Sequence, residues 1–238
     1  MFYRNNDFWN EKGAEYISSY LNLIKIENSK EEIFELLVEN DYTDEELLEE
    51  FDVEFLNHIK AWEVVRKMVL KIREYEESFK KRFDELILEE LIEIYEYLDP
   101  SKKYSYMFKG ENDKSKEFLK KLKKIIEKLS IVETFDSVLE YLLAAAFDLT
   151  SHQFLGEKTF LYFFWLFQAA MISRNHGIAV FEEKYELDRI LELSEQIVIY
   201  ARQNKSRNFS YCSEFREFVS LCRDKIDIFS NYERHKYE

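Results

Sequence analysis

Glycine and proline are nearly missing from this chain, with four glycines (Gly13, Gly110, Gly156, Gly177) and one proline (Pro100) among 238 residues. Tight turns need positive φ or a fixed φ, which these two residues supply. Ordinary usage is roughly 7% Gly and 5% Pro. A strand-and-turn fold is therefore excluded, and the sequence predicts an all-α irregular multi-helix bundle of about eight or nine helices. Cysteine is scarce too. Cys212 and Cys222 are ten residues apart in one predicted helix, about 15 Å of rise, too far for a disulfide. Reduced thiols predict a cytoplasmic setting. Residues 1–10 are polar and aromatic, without the apolar run of a signal peptide. The longest apolar run, 160–167, reaches only 13 residues when counted through 172, short of the 18 or so that a membrane span needs.

Catalytic punctuation is also sparse. There are four histidines, His58, His152, His176 and His235, and none lies in an HExxH or Glu-x-x-His arrangement. Glu54 with His58 and Asp148 with His152 each share a helix face at four-residue spacing, but an ordinary surface pair explains both. No G-x-G-x-x-G or P-loop occurs, and four glycines cannot build a backbone cradle for phosphate. No cofactor and no metal are expected. The absence of catalytic motifs favours a role other than catalysis.

What the chain does have is lopsided charge. Net charge is −14, yet residues 1–100 hold 27 acids and 12 bases while residues 101–238 hold 21 acids and 22 bases. Twelve acids against Lys30 alone fall in 29–54, and ten lysines against four acids fall in 102–128. So acidic a chain is not expected to bind nucleic acid generally, because that affinity comes from neutralising phosphates.

Apolar spacing places helices over 10–26, from Ser29 to Asn40-Asp41, over 44–50 and along 55–98. Ser29 with Glu32, Thr43 with Glu46 and Ser130 with Glu133 read as capping boxes. One helix over 55–98 would run about 70 Å, so a break is expected near Phe83-Asp84. Residues 102–114 follow Pro100, hold Gly110 and coincide with the charge change. They suggest an acidic lobe over 1–100, an exposed connection over 101–114 and a second lobe over 115–238; a single 1–238 domain fits nearly as well. Further helices are expected over 115–129, 130–147, 158–172, 181–202 and 213–228, with a frayed tail over 232–238. Six of the eight residues in 160–167 are aromatic. A helix apolar on all sides is buried on all sides, so 158–172 should be the core of the second lobe, ending at Asn175-His176-Gly177 with Gly177 as left-handed cap.

Arg174-Asn175 after an apolar helix resembles the HEPN ribonucleases, helical bundles in which an Arg is followed four to six residues later by His at a helix end. Here His176 follows Arg174 by two residues. The resemblance implies Arg174 and His176 as the catalytic candidates of a degenerate ribonuclease; a helix cap explains the same string. Three readings follow. The preferred one is a protein–protein interaction module, of which an immunity or antitoxin-type protein is one form. Its acidic lobe would bind and neutralise a basic partner through Glu45, Glu46, Glu49 and Glu50, with Phe34, Tyr42 and Phe51 as aromatic anchors. The second is the HEPN-like nuclease. The third is a structural subunit that forms a homodimer through its aromatic helix.

Overall fold

The computed structural model describes residues 1–40, 42, 51–78, 87–129, 131–132, 134–204 and 208–238. Among them are nine α-helices and no strand: α1 (Asn6–Leu23), α2 (Lys30–Glu39), α3 (Val53–Ser78), α4 (Leu88–Leu98), α5 (Asp113–Leu129), α6 (Phe135–Ser151), α7 (Thr159–Ser173), α8 (Lys184–Gln203) and α9 (Ser213–Ile228). The fold is the expected all-α multi-helix bundle. No helix among the described residues is long and apolar enough to cross a membrane.

Capping chemistry sets many of the helix ends. Asn5 opens α1 four residues earlier than apolar spacing suggests, because its side chain accepts from the Asp7 N–H at 2.8 Å. Ser29 caps α2 by accepting from the Glu32 N–H at 3.3 Å, and Asn40 closes it at φ 60°. The Thr43–Glu46 and Ser130–Glu133 boxes, and the break at Phe83-Asp84, lie outside the described residues. α3 and α4 pack against each other, tied by Lys71 to Glu90 at 2.7 Å. α5 carries a reciprocal cap that residue spacing alone did not reveal. The Ser115 N–H donates to Asn112 Oδ1 and the Asn112 N–H donates to Ser115 Oγ, both at 2.9 Å, satisfying two orphan donors at once.

α7 is the centre of the bundle. Tyr162, Trp165, Met171 and Ile172 are fully buried, and neighbours surround the helix. Tyr16 and Tyr20 of α1 meet Trp165 at ring distances of 5.2 and 5.4 Å. Trp62 of α3 lies 6.2 Å from Trp165. The Tyr162 hydroxyl donates to Leu91 O of α4 at 2.9 Å. Phe160 stacks on Phe147 of α6 at 5.2 Å and meets Phe218 of α9 at 6.2 Å. α7 therefore packs on helices from both halves of the chain, and the buried apolar residues form one cluster. Its one long polar side chain, Gln168, is fully buried and satisfied. It donates to Ala179 O and accepts from the Ala179 N–H, both at 3.0 Å.

Three expectations need correction. The connection over 101–114 is exposed at Lys102, Lys103 and Lys109, but Met107 and Phe108 are buried. Phe108 packs on Tyr95, Phe118 and Tyr162, so apolar side chains pull the connection onto the core. The tail is not frayed. Tyr237 is buried against Phe8 and Phe229, and its hydroxyl donates to Glu11 at 2.7 Å. Glu233 holds the buried Lys12 at 2.7 Å. Finally, the left-handed cap of α7 is Asn175 at φ 61°, not Gly177. The His176 N–H donates to Met171 O at 3.0 Å and the Asn175 N–H to Ile172 O at 2.9 Å, the paired bonds of a Schellman motif. Asn reaches this conformation because its short polar side chain tolerates it.

Gly13 tests the packing between α1 and α3. A Cβ there would run into Trp62 Nε1, which donates to Trp9 O at 2.9 Å. In an exposed helix interior, Gly→Ala gains about 1 kcal/mol. Here Gly13→Ala should instead lose about 1–3 kcal/mol through overpacking. Urea denaturation of the two chains measures the sign.

Candidate functional site: an acidic groove between α1 and α2

α2 presents Ile33, Leu36 and Leu37 to the core and leaves Glu31, Phe34 and Glu35 outside. α1 faces it with Glu11, Ala14 and Glu15. Between them lies a groove of about 340 Å³ lined by these residues and Lys30. Four carboxylates and one ammonium surround an exposed aromatic ring, Phe34, at 38% exposure. The surroundings add charge of the same sign. Glu182 pairs with Lys30 at 3.1 Å, and buried Lys12 bridges Glu15 at 2.6 Å and Glu233 at 2.7 Å. Burial raises the Glu15 carboxyl above its ordinary range, against the lowering pull of Lys12, and the nearby Glu182 and Glu233 push it further up. The Glu31 carboxylate is held below its usual range by its own backbone N–H and the Ser29 hydroxyl.

Of the residues expected to meet a partner, Glu45, Glu46, Glu49 and Glu50 lie outside the described residues. Phe34 is exposed in the groove. Tyr42 is buried, and its hydroxyl donates to Asn40 Oδ1 at 2.6 Å; burial pushes its pKa up to about 12. It is part of the packing, not an exposed anchor. Phe51 is half-buried and stacks on Phe55 at 5.3 Å. Glu11 and Glu15 of α1 were missed by sequence reasoning, because they fall outside the acidic run of 29–54 and join it only through helix packing.

The Arg174 corner is built differently. Arg174 ends α7, and its guanidinium donates to Leu129 O at 3.0 Å and to Val132 O. It thus caps the carbonyl end of α5, a neighbouring helix, where a cation is favoured. His176 lies 5.1 Å from Phe135, and Ser230 donates to its carbonyl at 2.8 Å. Burial first, then Arg174 and Arg234, lower its pKa. Compared with models of protein families, with curated proteins and with solved structures, the chain matches none.

No group of three His, Cys, Asp or Glu side chains suited to a metal occurs among the described residues. His58 and His152 each turn Nδ1 toward the carbonyl four residues back, Glu54 O at 2.6 Å and Asp148 O at 2.8 Å. A carbonyl can only accept, so each neutral ring carries its proton on Nδ1. Both cysteines are free and buried, and burial raises both thiols above their ordinary range.

His58 is fully buried beside Tyr20 and Trp165, at ring distances of 5.0 and 6.1 Å. Desolvation drives its pKa from 6.5 down to about 4, outweighing Glu54. The unfolded chain therefore takes up this proton between pH 6.5 and about 4 while the folded chain does not. Stability should fall with pH across that window, by about 3 kcal/mol from this group, and lose nothing further from it below. In urea melts at pH 7 and pH 4.5, His58→Gln should remove most of this acid-dependent loss. An unchanged difference would contradict the assignment.

Proposed function

We propose that this protein is an interaction module that binds a basic protein partner through the α1–α2 groove, as an immunity or antitoxin-type protein would. The observation that carries the reading is Phe34, an exposed ring set among Glu11, Glu15, Glu31 and Glu35. An aromatic in a pocket supplies contact energy, and a surrounding field of one sign supplies steering and selects the partner. The fitting occupant is a cationic segment that places an apolar side chain on Phe34 and lysines or arginines on the carboxylates. The groove also stands on rigid parts: Glu11 is held by Tyr237, and Glu15 by Lys12. Arg174, in contrast, donates to two backbone carbonyls at a helix end, which supports the helix-cap reading of the Arg174-Asn175 string.

The test is capture of partners from the native lysate by the immobilised chain, eluted with a salt gradient. A basic protein should be retained, and its affinity should fall steeply with salt. Glu31→Lys with Glu35→Lys should weaken it at least tenfold, and Phe34→Ala by a further ~1–2 kcal/mol. Retention that ignores both variants would refute the groove as the contact.

A further inference from the structure

α5 is the most basic helix of an acidic protein. It holds seven lysines against three acids, in a chain of net charge −14. Its inner face is apolar: Phe118 and Leu122 are buried, while Ile125, Ile126 and Leu129 are only half-buried. Beneath that half-buried end lies a cavity of about 90 Å³, walled by α3, α4, α5, α6 and α7. Four alanines make the room: Ala145 and Ala146 on α6, and Ala169 and Ala170 on α7. A larger side chain at any of them would occupy it.

The lining is apolar except at one end, where Ser173 and Arg174 stand. The Ser173 hydroxyl donates to Ala170 O at 2.9 Å. A guanidinium has five N–H donors, and the bonds to Leu129 O and Val132 O use two of them. Arg174, Ala170 and Leu129 are half-exposed, so the charged end of the cavity is also its mouth.

We propose that this cavity binds a small anionic amphiphile, a short alkyl carboxylate. The apolar body lies between α5, α6 and α7, and the carboxylate meets Arg174. Apolar walls favour an apolar body of matching size over water. One well-placed charged group fixes the orientation of such a ligand. Guanidinium and carboxylate match each other in geometry and charge. Elsewhere the acidic chain repels anions, and the lysines of α5 reverse the field locally. This site is separate from the α1–α2 groove, and neither proposal depends on the other.

Calorimetric titration of the full chain with butyrate, whose three-carbon tail suits the volume, tests it, with butanol as the uncharged counterpart and phosphatidylglycerol vesicles as a lipid surface. Butyrate should bind saturably at a one-to-one ratio, and butanol at least about tenfold more weakly, the loss expected for one charge-assisted contact. Ala170→Leu narrows the mouth and should abolish butyrate binding in a chain that melts at the same temperature or higher. Ala145→Leu fills the cavity from α6 and replaces it if the first variant does not fold. Absence of saturable butyrate binding overturns the site, as does undiminished binding by a folded filled variant. Equal affinity for butanol overturns the anionic assignment. Binding to vesicles without binding of free butyrate overturns the small-ligand reading in favour of a lipid surface.

Discussion

A helix that is apolar all the way round has to be enclosed all the way round. α7 sets that constraint, and the bundle answers it with α1, α3, α4, α6 and α9. Exposing one large aromatic of α7 to water would forgo roughly 1.5–3 kcal/mol, a sizeable share of a typical domain's stability of 5–15 kcal/mol. The partners are accordingly aromatic themselves, and several of the buried polar tips find backbone acceptors. Tyr162 finds Leu91 O, Trp62 finds Trp9 O and Trp9 finds Tyr3 O at 2.7 Å. The first two bonds join helices distant in sequence, so the satisfaction of these buried groups also helps fix how the helices cross.

The end of α7 transmits this order outward. Its Schellman turn puts Arg174 where its guanidinium reaches the carbonyl end of α5. α5 has an amphipathic sequence whose apolar face is buried at Phe118 and Leu122 and only half-buried at Ile125, Ile126 and Leu129, and its polar ties include its own Asn112–Ser115 cap, the Lys121–Asp148 pair at 2.9 Å and the Arg174 contact. A helix packed closely over its first turns and less closely over its last ones leaves room beneath that end. The cavity and the arginine thus share one cause, which is that α7 stops where α5 stops.

Sequence periodicity was informative where burial is decided locally. The bounds of α9 agree with those expected, 213–228, and α7 runs one residue later at each end than expected. It failed where distant residues decide. Nothing in Tyr232 to Glu238 signals order, because the reasons for it are Phe8, Glu11 and Lys12 at the other end of the chain. Gly177 was the natural choice for a left-handed cap, yet the helix had already closed at Asn175. Part of the site was legible in the same way. Phe34 was expected as an anchor and the acidic run 29–54 spans Glu31 and Glu35 without singling them out, but the opposite wall, Glu11 and Glu15, comes from α1 and needs the packing of α1 on α2. Tyr42 has the composition of an anchor and the burial of a core residue.

Charge segregation gives the molecule two faces with different chemistry. At the acidic face, Lys12 is buried and already bonded to Glu15 and Glu233, so its charge is spent inside. Glu31 and Glu35 remain exposed and Glu11 lines the groove beside them, free to act on a partner at long range. Their influence extends about one Debye length, roughly 8 Å at physiological salt, which covers the groove but not the far side of the bundle. The lysines of α5 act over a similar range at the cavity mouth. The net charge of −14 therefore understates the contrast. A cationic protein and a small anion could each find a complementary local field on this one chain, and neither would have to compete with the other for the same residues.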